Sequence, residues 1–536
     1  MSIYKTTISQ KSLWFINSLG GKARSAYNES LVFSISGILS LDALNWALEK
    51  LLCRHEILKI SFAKDSQGEI FQIINENIKL DIKILETDEE HIHSLLLETI
   101  EKPFELGQAP LFRINIYALN PDFNYLVIVH HHIITDGFSS GIFLQELSFF
   151  YNKYLKNEKF DDLNKPKSYF EHTAFENSHY LTLEYQKKTK VLSETLSDYL
   201  GMNFLTTLKN KQDLDIFSGD RVYFQIEQKM YRKIKDFCKN YQFTPFNFLL
   251  TVYTIFLSKY IRSHDLVIGI PFMNRSSGFE HTLGFFVNSL PMRVKLNPDS
   301  NFIETAGFIK NRIYSLLDKQ NVALDSITSQ HSLSRLIQTM AVWAVNENSL
   351  LDFQGVEINF ENKYFSRTSK FDFSLFMIEK NKAEVDAYFE FRIDLFDKAL
   401  VEQLAKSFQI LIENILIDPN IFVTNLSMLN ESEKIWMKKH FFKSKLDRVV
   451  ISSLGEIFSE TAQRFPDRVS LVLENKKINY LTLEQKSNQW ACYIRKKYRQ
   501  LYNIEMPSDT LIALCFDRNE AMILGILGIL KAGGAY

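Results

Sequence analysis

Tyr125-Leu126-Val127-Ile128-Val129-His130-His131-His132-Ile133-Ile134-Thr135-Asp136-Gly137 decides how this chain reads. Five apolar or aromatic residues predict a strand, and Asp136-Gly137 supplies the chemistry of a turn at its end. Beyond it Phe143, Leu147, Phe150, Tyr151 and Tyr154 recur at helical spacing, with Ser139 or Ser140 the expected cap. A strand that ends on imidazoles beside a fixed carboxylate suits acyl transfer, because an imidazole titrates near neutrality and can take the proton of an incoming nucleophile. A metal tract is the competing reading of three histidines. It is disfavoured because successive strand side chains point to opposite faces and cannot converge on one ion.

The bulk numbers bound the rest. A chain of 536 residues exceeds one hydrophobic core, so about three or four folding units are expected. A formal net charge of −1, with both signs interspersed, gives no footprint for DNA or RNA. Cys53, Cys238, Cys492 and Cys515 are far apart and read as reduced thiols of a cytoplasmic protein. No apolar run reaches membrane-spanning length, and Met1-Ser2-Ile3-Tyr4-Lys5 lacks the layout of a signal peptide.

Helical and strand patterns alternate along the chain, which predicts a mixed α/β architecture. Helices are expected over 40–51, 88–101, 245–260 and 398–416. Strands are expected over 70–85, 266–270, 285–294 and 371–378. A polar stretch with Lys165-Pro166-Lys167 suggests a first lobe over 1–168 and a second over 169–426. Residues 427–450 read as a linker. A new α/β pattern, 451–536, begins with a helix over 454–464 and short strands near 469–473 and 478–480, and it looks cut short at Tyr536.

With these residues in view, the chain resembles a nonribosomal peptide synthetase condensation domain followed by the N-terminal fragment of an adenylation domain. Ser9-Gln10-Lys11-Ser12-Leu13-Trp14-Phe15 is similar to that family's opening motif. Arg54-His55-Glu56-Ile57-Leu58 is similar to its Arg-His-Glu-x-Leu-Arg element, with Lys59 in place of the last Arg. His131-His132-x-x-x-Asp136-Gly137 resembles the active-site motif. Gly269-Ile270-Pro271 with Arg275, and Leu283 to Leu290, resemble two later elements. Phe465-Pro466-Asp467, Asn479 to Leu483 and Leu530 to Tyr536 resemble the start of an adenylation domain. The chain departs from the pattern at 319–337, where Lys319-Gln320-Asn321-Val322-Ala323-Leu324 and Ser334-Arg335-Leu336-Ile337 stand for stronger motifs.

The resemblance implies an α/β fold of two lobes arranged as a chloramphenicol-acetyltransferase-like pseudo-dimer, V-shaped, plus a truncated adenylation subdomain. It implies an acyltransferase that joins a donor acyl thioester to an acceptor amine, both carried on phosphopantetheine arms of donor and acceptor carrier proteins. His132, His131 and Gly137 are then catalytic, with His132 handling the amine and Gly137 turning the backbone and offering its N–H to an oxyanion. Asp136 and Arg275 form a structural ion pair, and Ser139, Asn288 and Ser289 line the substrate tunnel, while His130 packs without taking part. No permanently bound cofactor or metal is implied, nor any nucleic acid or membrane partner. The remainder of an adenylation domain would be a further partner.

The intact histidines set the chain apart from heterocyclising relatives, which carry aspartates there. The adenylation start sets it apart from epimerisation domains, and the missing Asp-Phe-Gly-Trp-Gly element from plant-type acyltransferases. A catalytically silent docking platform, or an ester-forming or starter acyltransferase using an acyl-CoA donor, are the alternatives.

Overall fold

The computed structural model describes residues 2–536 except 79–81, 159–164, 205–214, 329–335, 345–350, 442–451 and 475. The chain forms two compact units, Met1–Glu433 and Lys434–Tyr536.

The first unit is built on two large sheets. One has five strands in the spatial order Glu357–Phe360, Asn28–Ser36, Phe123–His131, Phe112–Asn120 and Lys83–Glu86. The other has six, Asn288–Lys295, Asp265–Phe272, Thr339–Ala344, Phe373–Lys380, Glu384–Arg392 and Gly219–Ile226. Strand Phe123–His131 is thus the middle strand of the first sheet. Helix Gly137–Leu155 sends Phe143 against His130 and Phe112 on one face. Helix Ile92–Glu101 covers the opposite face, where the Thr99 and Tyr117 hydroxyls are hydrogen-bonded. Burial on both faces explains why the strand reads as a continuous apolar run rather than an alternating one.

Local signals account for most elements. Helix Leu41–Arg54 starts at Ser40, whose hydroxyl accepts from the Ala43 N–H. Helix Pro245–Ile261 has Pro at its first turn and a Thr244 cap, and is apolar nearly all round because it is buried. Lys398–Ile417 and Asp265–Phe272 fall where expected, within a few residues.

Each sheet anchors its own core. The core on the five-stranded sheet is drawn mainly from residues 13–170, yet Phe279, Leu283, Phe285, Phe286, Leu351, Phe353 and Tyr364 also belong to it. Two segments of the second half therefore return to the first, and strand Glu357–Phe360 pairs antiparallel with Asn28–Ser36. A cut at 168/169 does not follow the packing, since helix Tyr169–His179 also sends Tyr169 and Phe170 into this core.

Two expectations change. The strand expected over 285–294 starts only at Asn288, because the Phe286 and Val287 N–H groups donate to the Asp136 carboxylate instead of a ladder. Helix Glu431–Phe441 occupies part of the stretch read as linker. The second unit holds helices Leu454–Arg464, Tyr480–Tyr502 and Glu520–Ala532, with hairpin Val469–Leu473 and Lys476–Asn479. Ile478, Leu483 and Leu524 form its small core. Among the described residues no helix is long and apolar enough to cross a membrane.

Candidate active site

The strand delivers three histidines to three different environments. His130 is fully enclosed, its ring 4.8 Å from that of Phe143, and burial lowers its pKa to about 4. His131 faces the other side of the sheet, edge-on to Phe104, and its Nδ1 accepts the Ile133 N–H at 3.1 Å. Burial, reinforced by His132 and Lys370, pulls it down to about 3. Expected among the catalytic groups, His131 is instead sealed away and shapes the turn that follows.

His132 opens that turn, a short 3₁₀ segment through Ile134. Its N–H donates to the Tyr27 carbonyl at 2.8 Å, and its Nδ1 lies 2.6 Å from the Thr135 carbonyl oxygen. A carbonyl only accepts, so Nδ1 carries the proton and Nε2 keeps a lone pair. The Phe285 ring stands edge-on at 5.0 Å. His132 keeps 16 % of its side-chain surface exposed, unlike its two neighbours in the strand. Burial lowers its pKa and Lys370 adds to the effect, against the opposing Glu29, the Thr135 carbonyl and Asp136. The ring is therefore neutral near pH 7.

Asp136 caps the helix, since its Oδ1 accepts the Ser139 N–H at 2.7 Å, so neither Ser139 nor Ser140 is the cap. Its Oδ2 accepts the Phe286 and Val287 N–H groups at 2.9 and 3.2 Å. Arg275 Nη2 reaches Asp136 Oδ1 at 3.5 Å and donates to Ser139 Oγ at 2.9 Å. Arg275 Nη1 donates to the Phe279 and Thr282 carbonyls, and the guanidinium lies 3.8 Å from the Phe286 ring centre. Burial lowers the Arg275 pKa, with Asp136 opposing. One carboxylate thus fixes the helix start, the loop before Asn288 and the cation together.

Ser139, expected on the tunnel wall, is wholly buried, its hydroxyl donating to the Gly284 carbonyl at 2.7 Å. Asn288 is a buried strand residue whose amide donates to the Gln320 and Val322 carbonyls. Ser289 is half-buried in the next position. Gly137 does not lie in the left-handed region, so no sharp turn demands glycine there. It is the exposed first residue of helix Gly137–Leu155, and a Cβ on it would meet nothing within 4 Å. Its place at the helix start leaves its N–H without an intrahelical partner.

The Arg54-His55 element also gains a role. Arg54 Nε and His55 Nε2 both reach Glu146, at 3.0 and 2.7 Å, and tie helix Leu41–Arg54 to helix Gly137–Leu155. Of the departing stretch, Ser334 and Arg335 lie outside the described residues, while Leu324–Thr328 forms a short helix.

A pair that sequence reasoning missed completes the site. Glu29, opposite His130 in register, puts Oε1 3.7 Å from His132 Nε2 and accepts from Lys370 Nζ at 2.5 Å. Burial pushes the Glu29 carboxyl up, but Lys370 and His132 outweigh it and bring it down to about 2. The same partner holds Lys370 above the usual lysine range, against burial. A charged residue at the second position of a strand is the only local sign. Nothing in the sequence connects it to a lysine 341 residues away. No group of three His, Cys, Asp or Glu able to hold a metal occurs among the described residues.

Known proteins are similar to this chain along its length. A family model described as Condensation domain matches residues 1–437. Bacitracin synthase 3 of Bacillus licheniformis is 28 % identical over 542 residues, 99 % of this chain and 8 % of that protein. Tyrocidine synthase 3 of Brevibacillus parabrevis is 28 % identical over 543 residues, again 99 % and 8 %. The chain therefore spans less than a tenth of either relative. Among solved structures, holo-AB3403, a four domain nonribosomal peptide synthetase bound to AMP and glycine, is similar at a TM-score of 0.77 and 19 % identity, over 100 % of this chain and 41 % of that one. The first condensation domain of the calcium-dependent antibiotic synthetase, in complex with a substrate analogue, is similar at 0.70 and 15 %, over 80 % and 100 %. These likenesses share the expected two-lobed α/β fold. By the span of that family match, with relatives similar from end to end, the chain belongs to the condensation-domain family of nonribosomal peptide synthetases.

Proposed function

We propose that this chain joins a donor acyl or peptidyl thioester to an acceptor aminoacyl thioester, both carried on phosphopantetheine arms of separate carrier proteins. A thioester is already activated, so holding two tethered reactants together supplies much of the rate. His132 takes the proton of the attacking amine through Nε2, a role worth about 10²–10⁴-fold. The observation that carries this reading is the pinned tautomer: Nδ1–H is committed to the Thr135 carbonyl, which leaves Nε2 its lone pair on a ring that stays partly exposed.

The surroundings suit that role. The exposed Gly137 leaves open space where any other residue would put a side chain, and its N–H sits at a helix start, where developing negative charge is favoured. Asp136 and Arg275 hold the turn without touching the reactants. Carrier domains loaded with a defined acyl donor and a defined aminoacyl acceptor test the reading, with the amide product followed by mass spectrometry under single turnover. His132→Ala is expected to slow amide formation by about 10²–10⁴-fold. An undiminished rate removes His132 from the chemistry.

A further inference from the structure

Two acceptors face each other beside the reaction centre. In its neutral form His132 presents the lone pair of Nε2 toward Glu29 Oε1, 3.7 Å away, and no proton lies between them. The distance is too long for a hydrogen bond, and too short to admit an atom on the line between them, but a nitrogen or oxygen seated beside that line would lie within bonding reach of both. Lys370 Nζ donates to Oε1, the same oxygen that faces His132, and a carboxylate oxygen with one such donor keeps a further lone pair. Glu29 keeps 40 % of its side-chain surface open, although protein rings it closely enough for burial to oppose its charge.

We propose that Glu29, paired with Lys370, and His132 together form a two-point receptor for the acceptor's α-ammonium group, so that the site selects an amine nucleophile over a hydroxyl. This rests on the condensation reading above. An ammonium carries three N–H bonds and satisfies both acceptors. An alcohol carries a single proton and leaves one acceptor unpaired, which is the strong form of discrimination against an analogue lacking a donor.

Glu29, the stronger acid of the two, binds but does not deprotonate. One ammonium proton passes to His132 Nε2 and frees the nitrogen lone pair. The C–N bond forms as the donor's C–S bond breaks, a second N–H proton leaves with the thiolate as thiol, and the proton on His132 is returned to water. The charged and titratable groups around the ring are Glu29, Lys370, Asp136 and the neutral His131. Tyr27 stands beside them, its ring under Lys370 and 6.2 Å from His132.

The test compares an aminoacyl carrier with the matching hydroxyacyl carrier as acceptors, under single turnover with one donor. Glu29→Gln is expected to cut the amine rate by about 10–100-fold, the worth of a charge-assisted hydrogen bond, while leaving the hydroxyl acceptor's rate little changed. Its acid limb with the amine acceptor moves up by about one pH unit, because only free amine then reacts. Glu29→Asp restores part of the preference. Lys370→Met, which frees burial to raise the Glu29 carboxyl, is expected to weaken the preference as pH falls and keep it at high pH, and serves as the second variant should Glu29→Gln fail to fold. Equal slowing of both acceptors, an unchanged ratio in Glu29→Gln, or a preference lost at every pH in Lys370→Met overturns the proposal. Wild-type protein that makes neither amide nor ester from loaded carriers fails the condensation reading itself, a separate outcome.

Discussion

Two carboxylate–cation pairs stand near His132, each joining one sheet's surroundings to the other's, and they are built for different ends. Asp136 and Arg275 are sealed, with side chains 4 % and 5 % exposed, and nearly every donor and acceptor they carry is matched by protein. Glu29 and Lys370 stay 40 % and 24 % exposed, and one of their neighbours is an unpaired lone pair. The first pair spends its bonding capacity on the fold. The second leaves capacity for something that arrives. Chemistry next to a reacting imidazole therefore needs both: a rigid mount that water cannot enter, and an open partner that substrate can reach.

Removing one partner of the sealed pair is the largest way to test this contrast. Asp136→Ala, or Arg275→Ala, is expected to cost about 3–5 kcal/mol in chemical denaturation, because the other charge is left buried and alone. A loss within about 1 kcal/mol would place the pair with ordinary surface bridges. Next comes acid. His130 and His131 are neutral when folded and gain protons only when unfolded, so the folded state binds fewer protons between their lowered pKa values and the usual 6.5. Stability then falls as pH drops through that window, by roughly 2–3 kcal/mol per histidine from pH 7 to 4.5. His130→Phe, beside Phe112 and Phe143, should remove one such share from the measured slope. An identical slope in the variant would mean that His130 titrates normally in the native state.

Smaller effects sharpen the same picture. Ser139→Ala is expected to cost about 1–2 kcal/mol, since the Gly284 carbonyl loses its donor and Arg275 an acceptor in a dry interior. Glu29→Gln should change stability by no more than about 0.5 kcal/mol, as for a solvent-reached ion pair. A loss near that of Asp136→Ala would erase the distinction between the two pairs.

Much of this is legible in the sequence. The apolar run ending at His130 marked the central strand because a strand covered on both faces needs no alternation, and Ser40 marked a helix start because its hydroxyl has a local N–H to bind. What escaped was set by contacts across the chain. Asp136 outcompetes Ser139 as cap because it also gathers two N–H groups from residues 286 and 287, and those same bonds delay the strand to Asn288. Ser139 is drawn inward by Gly284 and Arg275, partners no spacing rule identifies. Gly137 was read as a turn residue, whereas its backbone is ordinary and the missing side chain leaves room. Glu29 and Lys370 gave no periodic sign, being single charges brought together by the two sheets.

A single-turnover pH–rate profile for amide formation, wild type beside His132→Ala, puts the neutral imidazole to the most direct trial. The lowered pKa of His132 predicts a wild-type rate that holds through pH 7 and falls only below pH 6.5, as Nε2 takes up a proton. The alanine variant should lie about 10²–10⁴-fold lower at pH 7, and with no base to relieve the ammonium its rate should already fall as pH drops below the amine's own pKa, about 7.7–8. Two profiles that superimpose in height and shape would contradict the account.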